Sequence, residues 1–252
     1  MPEPEIIFLD EVDSTNRYAL EYFDKLPDGA MVSANSQTAG RGRLNRHWES
    51  PPGENIYATF IMKNLPEHKW QYATMAISLG VLDLLRNCAP EIDPWLKWPN
   101  DVYCGHRKIC GMFGEIKTSA NNQPVGVAAG VGININMPPA RLIEIGQPAT
   151  SLFAETNRIF NVRNLCHELA IFVKGYYSIS FSNPHKLYEL WYQENRLIGK
   201  TITMEIGDHK FVGKVSGLGK NGEMIFECSG KEMRFHSGDV RIDKDSLKNV
   251  NN

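Results

Sequence analysis

The chain has 252 residues, of which 42% are hydrophobic and 22% are charged, and its formal net charge is −2. This composition is typical of a folded globular protein and excludes both a disordered chain and a protein that coats nucleic acid through a general positive charge. The five cysteines form no CxxC pair, which argues against a zinc or redox site and favours a reducing cytoplasm. No apolar run is long enough to span a bilayer, and the first residues lack the features of a signal peptide, so we expect no membrane role.

Apolar residues recur with strand and helix periods along most of the chain. The pattern predicts strands at residues 6–9, 30–34, 56–62, 109–117 and 125–136. It predicts helices that begin after the N-cap candidates 14–16, cover 70–85, and cover 162–193 with a break at Asn183 and Pro184. Because turn-forming residues join the last two strands as antiparallel neighbours, we expect an α+β fold with a mixed, largely antiparallel sheet and flanking helices.

The composition changes near residue 197. Short β-type segments at 201–205, 211–215 and 223–227 are separated by turns that contain glycine, which predicts a small β-barrel. We therefore expect two domains, a larger one over residues 1–196 that carries the chemistry described below, and a small one with a polar tail over residues 197–252.

The sequence QTAGRGR, residues 37–43, places two arginines among glycines directly after a predicted strand. Glycines let backbone amides approach a ligand closely, and arginines bind phosphate or carboxylate through paired donors. The segment favours an anion-binding loop, and a solvated basic turn is the structural alternative.

The sequence KWPND, residues 97–101, combines a cation, an aromatic ring and turn-forming polar residues. In a functional interpretation Lys97 lies near phosphate, and Asn100 or Asp101 lies near polar ligand atoms or magnesium. The alternative is a Pro-Asn-Asp turn above a buried Trp98, with a solvated Lys97.

Two further segments carry polar side chains on predicted strands. Lys108 begins one strand, and Gly111 leaves room beside it for a ligand, although most lysines at strand ends only reach for water. Residues 130–136, GVGININ, alternate in strand fashion, which puts Asn134 and Asn136 on one face for contact with a nucleotide. A capping role for these asparagines is the alternative. The last glycine of GxGxxG is missing, which disfavours a dinucleotide fold.

Taken together and in this order, these segments resemble the motifs of biotin protein ligases. The matching segments are STN at 14–16, QTAGRGR at 37–43, Trp48, KWPND at 97–101, KICG at 108–111 and GININ at 132–136. The resemblance implies a class II synthetase-like catalytic domain and an SH3-like C-terminal barrel.

The resemblance also implies a reaction and a set of site residues. Biotin protein ligases join biotin and ATP, with Mg²⁺, into biotinyl-5′-adenylate, and then transfer biotin to a lysine of a biotin carboxyl carrier protein of acetyl-CoA carboxylase or a related carboxylase. The implied biotin contacts are Ser14, Thr15, Asn16, Gln37, Gly40, Arg41, Lys108 and Gly111. The implied ATP or adenylate contacts are Arg41, Gly42, Arg43, Trp48, Lys97, Asn100, Asn134 and Asn136. Lys108, Arg43 and Lys97 are the implied catalytic residues, and Asp101 is the implied magnesium contact.

Other functions remain open at this stage. A lipoate ligase shares the adenylation chemistry but accepts an acid without a ureido group. Some biotin ligases are also DNA-binding repressors, but Ile6 already begins the first predicted strand and the net charge is slightly negative, so we expect no DNA binding. A non-catalytic binding protein would give no reason for four clustered cations. Exposed sheet edges make a homodimer plausible.

Overall fold

The larger sheet of the protein contains all five strands that the pattern predicts before residue 140. The computed structural model describes residues 3–65 and 69–242. The strands are β1 (Ile6–Val12), β2 (Met31–Gln37), β3 (Ile56–Met62), β4 (Pro94–Lys97), β5 (Asp101–Cys104), β6 (Arg107–Thr118) and β7 (Pro124–Ile133). Their order is β1-β2-β3-β7-β6-β5-β4, in which β1 and β2 are parallel and the other neighbours are antiparallel. The predicted α+β fold with a mixed, largely antiparallel sheet is confirmed. The pattern does not predict β4 and β5, because four residues are too few to show a period.

Helices flank this sheet as the sequence predicts. In the described residues they are α1 (Thr15–Glu21), α2 (Gln71–Cys88), α3 (Pro139–Glu144), α4 (Leu152–Thr156), α5 (Val162–Ser182) and α6 (Pro184–Gln193). The break between α5 and α6 lies where it is predicted, because Pro184 occupies the first turn of α6 and the Asn183 side chain accepts a hydrogen bond from the Lys186 amide. None of the helices in the described part of the chain is both long and apolar enough to cross a membrane.

The two faces of the sheet are covered unequally, and this difference creates the space for a site. On one face, the long helix α2 packs over β4, β5, β6 and β7, and α5 packs against α2, in a continuous apolar core. On the other face, the seven-residue helix α1 covers only one end, where it packs on Ile61 and Ala128. Further along the same face lie Thr59, Gly130 and Gly132, whose side chains are too small to fill the space above them.

The C-terminal residues form a second sheet. Its strands are β8 (Thr201–Ile206), β9 (His209–Leu218), β10 (Met224–Cys228), β11 (Lys231–Phe235) and β12 (Asp239–Ile242), in the order β11-β10-β9-β8-β12. This antiparallel sheet is consistent with the predicted SH3-like unit, although the hydrogen bonding of the described residues gives an open sheet and not a closed barrel. Charged residues in β11 hide its period from the sequence.

The second sheet shares the apolar core of the first. Ile202, Met204 and Phe226 belong to the same buried cluster as α2 and β3, and the Trp98 indole donates a hydrogen bond to the Gly222 carbonyl at 2.8 Å. The division into domains at residue 197 stays a prediction, and the predicted tail lies outside the described residues after 242.

The contact between α2 and α5 gives a stability prediction. A methyl group on Gly80 would lie 2.6 Å from the Val173 side chain, whereas a methyl group on Gly175 would meet nothing within 4 Å. We expect Gly80→Ala to lower the free energy of unfolding by about 1–3 kcal/mol through overpacking. Gly175→Ala, the matched control, is expected to raise it by up to about 1 kcal/mol through helix propensity. Urea unfolding of both variants is the measurement, and a stabilised Gly80→Ala would contradict the close packing of α2 on α5.

Candidate active site

A cleft with about 860 Å³ of empty space lies above the face of the sheet that α1 leaves uncovered. The residues predicted from sequence that line it are Ser14, Thr15, Asn16, Gln37, Arg41, Gly42, Arg43, Trp48, Lys97, Asn100, Asp101, Lys108 and Gly111. The structure therefore brings together segments that are far apart in the sequence.

One end of the cleft is a connected set of polar side chains. Gln37 Oε1 accepts hydrogen bonds from the Thr15 amide at 2.9 Å and from the Thr15 hydroxyl at 3.2 Å. The Thr59 hydroxyl donates to Asn16 Oδ1 at 2.6 Å and lies 2.9 Å from Thr15 Oγ1. Ser14 occupies the N-cap position of α1, but its side chain makes no capping hydrogen bond. The predicted capping role is therefore absent, and the hydroxyl can face the cleft.

Asn16 is held on the floor of the cleft by two acceptors and one glycine. Its Nδ2 donates to the Phe113 carbonyl at 3.0 Å and to Glu115 Oε2 at 2.9 Å, which uses both amide protons. A methyl group on Gly130 would overlap the Asn16 amide oxygen, so the side chain can lie here only because residue 130 has none. Glu115 also forms an ion pair with Arg41 at 3.4 Å, which links the end of the QTAGRGR segment to the same network.

The QTAGRGR segment continues into a loop that lines the cleft. Within it, the Gly42 amide donates to the Arg46 carbonyl at 2.8 Å, and the Trp48 amide donates to the Gly40 carbonyl at 3.0 Å. Residues Arg43–Asn45 form a 3₁₀ turn at its tip. An ion pair between Arg46 and Asp239 at the start of β12 ties the loop to the second sheet.

Trp48 lies flat against the sheet above two paired glycines. Gly111 of β6 and Gly132 of β7 are register partners, and a methyl group on either would overlap the Trp48 ring. The space that the sequence assigns to a ligand beside Gly111 is thus filled by Trp48 and the end of Lys108, whose Nζ is 5.4 Å from the ring centroid. The glycines position an aromatic side chain, which in turn can face a ligand.

Three cations surround one carboxylate in the centre of the cleft. Lys108 Nζ lies 2.7 Å from Asp101 Oδ1, and both side chains are largely buried. Arg43 Nη1 donates to Asn100 Oδ1 at 2.9 Å, next to Asp101. Lys97 faces Asp101 across the β4–β5 hairpin, and its Nζ is 4.9 Å from the centre of the Tyr103 ring. Such a centre attracts anions and stabilises negative charge that develops among them.

Burial lowers the pKa of two of these cations, Lys97 and Arg43. Desolvation lowers the pKa of Lys97, with Asp101 opposing the change and Lys108 adding to it. Burial likewise lowers the pKa of the Arg43 guanidinium, while Asp239 and Asp101 oppose it. Incoming negative charge would relieve both penalties.

Three predicted residues do not line this cleft. Gly40 packs against residues 48 and 50 of the same loop, and a side chain on it would collide with the Trp48 carbonyl and Ser50. Asn134 lines a neighbouring space of about 330 Å³ together with Trp48 and Lys108, and its amide donates to the Thr150 carbonyl at 2.9 Å. Asn136 exchanges hydrogen bonds with the Phe160 backbone, as the capping alternative proposes. The predicted strand is corrected at this end, because β7 stops at Ile133 and not at residue 136, and the assignment of Asn136 to the nucleotide stays a prediction.

The donor set can be compared with what Mg²⁺ requires. Among the described residues, no group of three or more His, Cys, Asp or Glu side chains could hold a metal ion. Asp101 Oδ1, however, is buried and makes no hydrogen bond of normal geometry in this part of the chain, although Lys108 is close. These residues do not fit a resident metal centre, but they do fit a single carboxylate ligand for an ion that is otherwise bound by phosphate.

Sequence reasoning misses four side chains that build the site. They are Arg46, Thr59, Glu115 and Asp239. Thr59 and Glu115 are signalled only by being polar on strands that are otherwise apolar or half-buried. Asp239 has no local signal, because its partner is distant in the sequence.

Comparison with known proteins places the chain in a family. Residues 8–134 match the sequence profile of the Biotin/lipoate A/B protein ligase family. The chain is 30% identical over 246 residues to the "Bifunctional ligase/repressor BirA" of Bacillus spizizenii, covering 94% of this chain and 74% of that protein. It is 29% identical over 225 residues to the "Biotin--[acetyl-CoA-carboxylase] ligase" of Mycobacterium tuberculosis, covering 84% and 79%.

A solved structure agrees with these matches. The biotin protein ligase from Aquifex aeolicus in complex with biotin and ATP superposes with a TM-score of 0.79 at 25% identity, over 95% of this chain and 99% of that one. The chain belongs to the Biotin/lipoate A/B protein ligase family.

Because Lys97 is buried, we expect its replacement to raise the free energy of unfolding by an amount that depends on pH. Because the folded protein binds the Lys97 proton less tightly than the unfolded chain, the penalty is present at neutral pH and fades as the pH rises towards the usual lysine value of about 10.4. We expect Lys97→Met to raise the free energy of unfolding more at pH about 7 than at pH about 9.5. Urea titrations at both pH values measure this, with the exposed Lys214→Met as control. A gain that does not change with pH would contradict the assigned cause.

Proposed function

We propose that this chain is a biotin protein ligase that joins biotin and ATP into biotinyl-5′-adenylate and transfers biotin to a lysine of a carrier protein. The observation that carries the proposal is the convergence of Arg43, Lys97 and Lys108 around Asp101 in one cleft. The named relatives and the structural match support the same reaction.

The first step requires two negative groups to react. A biotin carboxylate oxygen attacks the α-phosphorus of ATP, a new P–O bond forms, and pyrophosphate leaves with the electrons of the broken bond. The cations of the cleft cancel the repulsion of the reactants and stabilise charge on the phosphoryl oxygens. Lys108 lies at the floor, held beside Asp101, and we assign it to bridge the carboxylate and the α-phosphate. Arg43 and Lys97 bind phosphate oxygens.

The polar end of the cleft suits the ureido group of biotin. Both amide protons of Asn16 are used inside the protein, whereas the Ser14 hydroxyl makes no capping bond and is available. Gln37 uses its oxygen on Thr15 and one amide proton on Ser50, which leaves one proton for a ligand. Such fixed donors and acceptors match a ureido group and would be left unpaired by the dithiolane ring of lipoate. This end therefore favours biotin over lipoate.

The nucleotide is assigned to the side of the cleft that Trp48 forms. The Trp48 indole N–H is buried without a hydrogen-bond partner among the described residues, and Asn134 lies in the adjoining space. An aromatic face and an unpaired donor suit an adenine base. Gly42 and Asn100, at the opposite side, are assigned to the phosphates.

Magnesium and partners are also part of the proposal. Mg²⁺ would neutralise phosphate charge, with Asp101 as its protein ligand. The acceptor is a biotin carboxyl carrier protein domain of acetyl-CoA carboxylase or a related enzyme, and the location is the cytoplasm. A homodimer and the lack of DNA binding stay predictions.

Exchange of labelled pyrophosphate into ATP tests the reaction. Exchange that depends on biotin and not on lipoate is the expected result. Exchange supported by lipoate alone would assign the chain to the other branch of the family, and no exchange with either acid would overturn the proposed function.

Lys108 is the residue on which the first step depends most. We expect Lys108→Ala to lower the rate of pyrophosphate exchange by about 10²–10³-fold, the usual effect of removing one group that stabilises transition-state charge. The exposed Lys214→Ala serves as a control and is expected to be unchanged. Near-normal exchange in Lys108→Ala would refute its assigned role.

Two glycines lie on different sides of the cleft: Gly130 is on the side assigned to biotin, and Gly132 is on the side assigned to the nucleotide. A side chain at Gly130 would displace Asn16, and one at Gly132 would displace Trp48. We expect Gly130→Ala to raise mainly the KM for biotin, and Gly132→Ala mainly the KM for ATP, each by about ten- to a hundredfold. Gly114→Ala on β6 meets only Val127 at 3.4 Å and is the control. Equal effects on both substrates would argue against the assignment of the two ends.

A further inference from the structure

Glu115 of β6 does not line the cleft itself but contacts two side chains that do, Asn16 of α1 and Arg41 of the QTAGRGR segment. Glu115 Oε2 accepts a hydrogen bond from Asn16 Nδ2 at 2.9 Å and lies 3.4 Å from Arg41 Nη2. Glu115 Oε1 accepts from the same arginine nitrogen at 3.5 Å. Any effect of this carboxylate on a bound ligand is therefore exerted through its two neighbours.

The two contacts of Glu115 differ in strength. Asn16 is 6% exposed, and its amide lies at a normal hydrogen-bond distance from the carboxylate. The Arg41 side chain is 36% exposed and lies at the outer limit of a hydrogen bond. A buried hydrogen bond to a charged acceptor contributes more than an ion pair that water screens. The contact with Asn16 is thus the one through which Glu115 acts most.

Glu115 completes the set of hydrogen bonds that holds the Asn16 amide. The Thr59 hydroxyl donates to Asn16 Oδ1 at 2.6 Å, and Asn16 Nδ2 donates one proton to the Phe113 carbonyl at 3.0 Å and the other to Glu115. Without the carboxylate, one proton of a buried amide has no acceptor, and the side chain gains by moving towards water. An amide that is fixed before the ligand arrives loses no rotational freedom on binding, which favours affinity.

A second residue on the same face of β6 also contacts α1 and provides a comparison. Lys117 Nζ donates to the Leu20 carbonyl at 3.0 Å, near the end of α1, whereas Glu115 holds Asn16 near its start. Lys117 does not line the cleft. Replacing Lys117 therefore weakens the attachment of the helix to the sheet and leaves the hydrogen bonds of Asn16 in place.

We propose that Glu115 is a positioning residue for biotin, which fixes the Asn16 amide at the polar end of the cleft and so sets the affinity for the ureido group. The proposal rests on the proposed function. Among the described residues, Glu115 makes no hydrogen bond or ion pair with Arg43, Lys97 or Lys108. Its removal therefore affects the KM for biotin, and the cations assigned to the phosphates keep their contacts.

The experiment is a double-mutant cycle in which pyrophosphate exchange is measured at varied biotin and varied ATP. We expect Glu115→Ala to raise the KM for biotin by about tenfold or more, with kcat and the KM for ATP within about twofold of the unmodified protein. In an Asn16→Ala background, Glu115→Ala is expected to raise the KM for biotin further by less than about twofold, because the residue through which it acts is already gone.

Two more variants complete the set. Lys117→Ala, the matched control, is expected to leave the KM for biotin unchanged. Glu115→Gln keeps the size of the side chain and an oxygen that can accept from Asn16, so we expect a smaller rise in KM than in Glu115→Ala. If Glu115→Ala does not fold, Glu115→Gln takes its place in the same cycle.

Several outcomes would overturn the proposal. Additive effects of Asn16→Ala and Glu115→Ala on the KM for biotin would show that Glu115 does not act through Asn16. An effect of Glu115→Ala that disappears only in an Arg41→Ala background would assign its role to the arginine. An equal rise in Lys117→Ala would reduce that role to support of the helix. Failure of the proposed function is distinct, since the unmodified protein would then show no exchange that depends on biotin.

Discussion

Positive charge gathered around one carboxylate is the constraint on which the rest of the structure depends. Three cations in a partly dry cleft repel each other, and burial penalises at least Lys97 and Arg43. Asp101 offsets part of this cost through its contact with Lys108. What remains is an excess of positive potential that an anionic reaction centre satisfies better than water does. The cleft therefore favours a bound ligand that carries more negative charge than the side chains of the cleft supply.

The sheet makes this concentration of charge possible by leaving one face incomplete. Helix α1 is short, and the strands beyond it carry glycines at 111, 130 and 132 where larger residues would fill the space. Asn16 and Trp48 occupy the resulting hollows and divide the cleft into a polar part and an aromatic part. The same backbone positions thus set both the depth of the cleft and the chemistry of its two ends.

The sequence predicts which residues form the candidate site better than it predicts the contacts that hold them together. Glycines, turns and charges are dense around Lys97, Asp101 and Lys108, so these residues could be predicted as a group. In the structure, the antiparallel pairing of β4 with β5 and of β5 with β6 brings them together. The sequence pattern extends the last strand of this sheet to residue 136, whereas β7 ends at Ile133, because alternation in sequence does not show where a strand ends. Arg46 and Asp239 could not be paired in advance, since no local pattern reports a contact between the loop and the second sheet. The branch of the family follows from the ordered motifs.

The contact of Arg46 with Asp239 joins residues that are 193 positions apart. During synthesis, the loop, the lysines and the sheet glycines emerge from the ribosome long before the strand that holds Asp239. A chain that has folded only its first sheet lacks the wall that β12 supplies, so the cleft is complete only once the second sheet is in place. The first sheet alone is therefore not sufficient for a closed cleft, and the second sheet is part of the site.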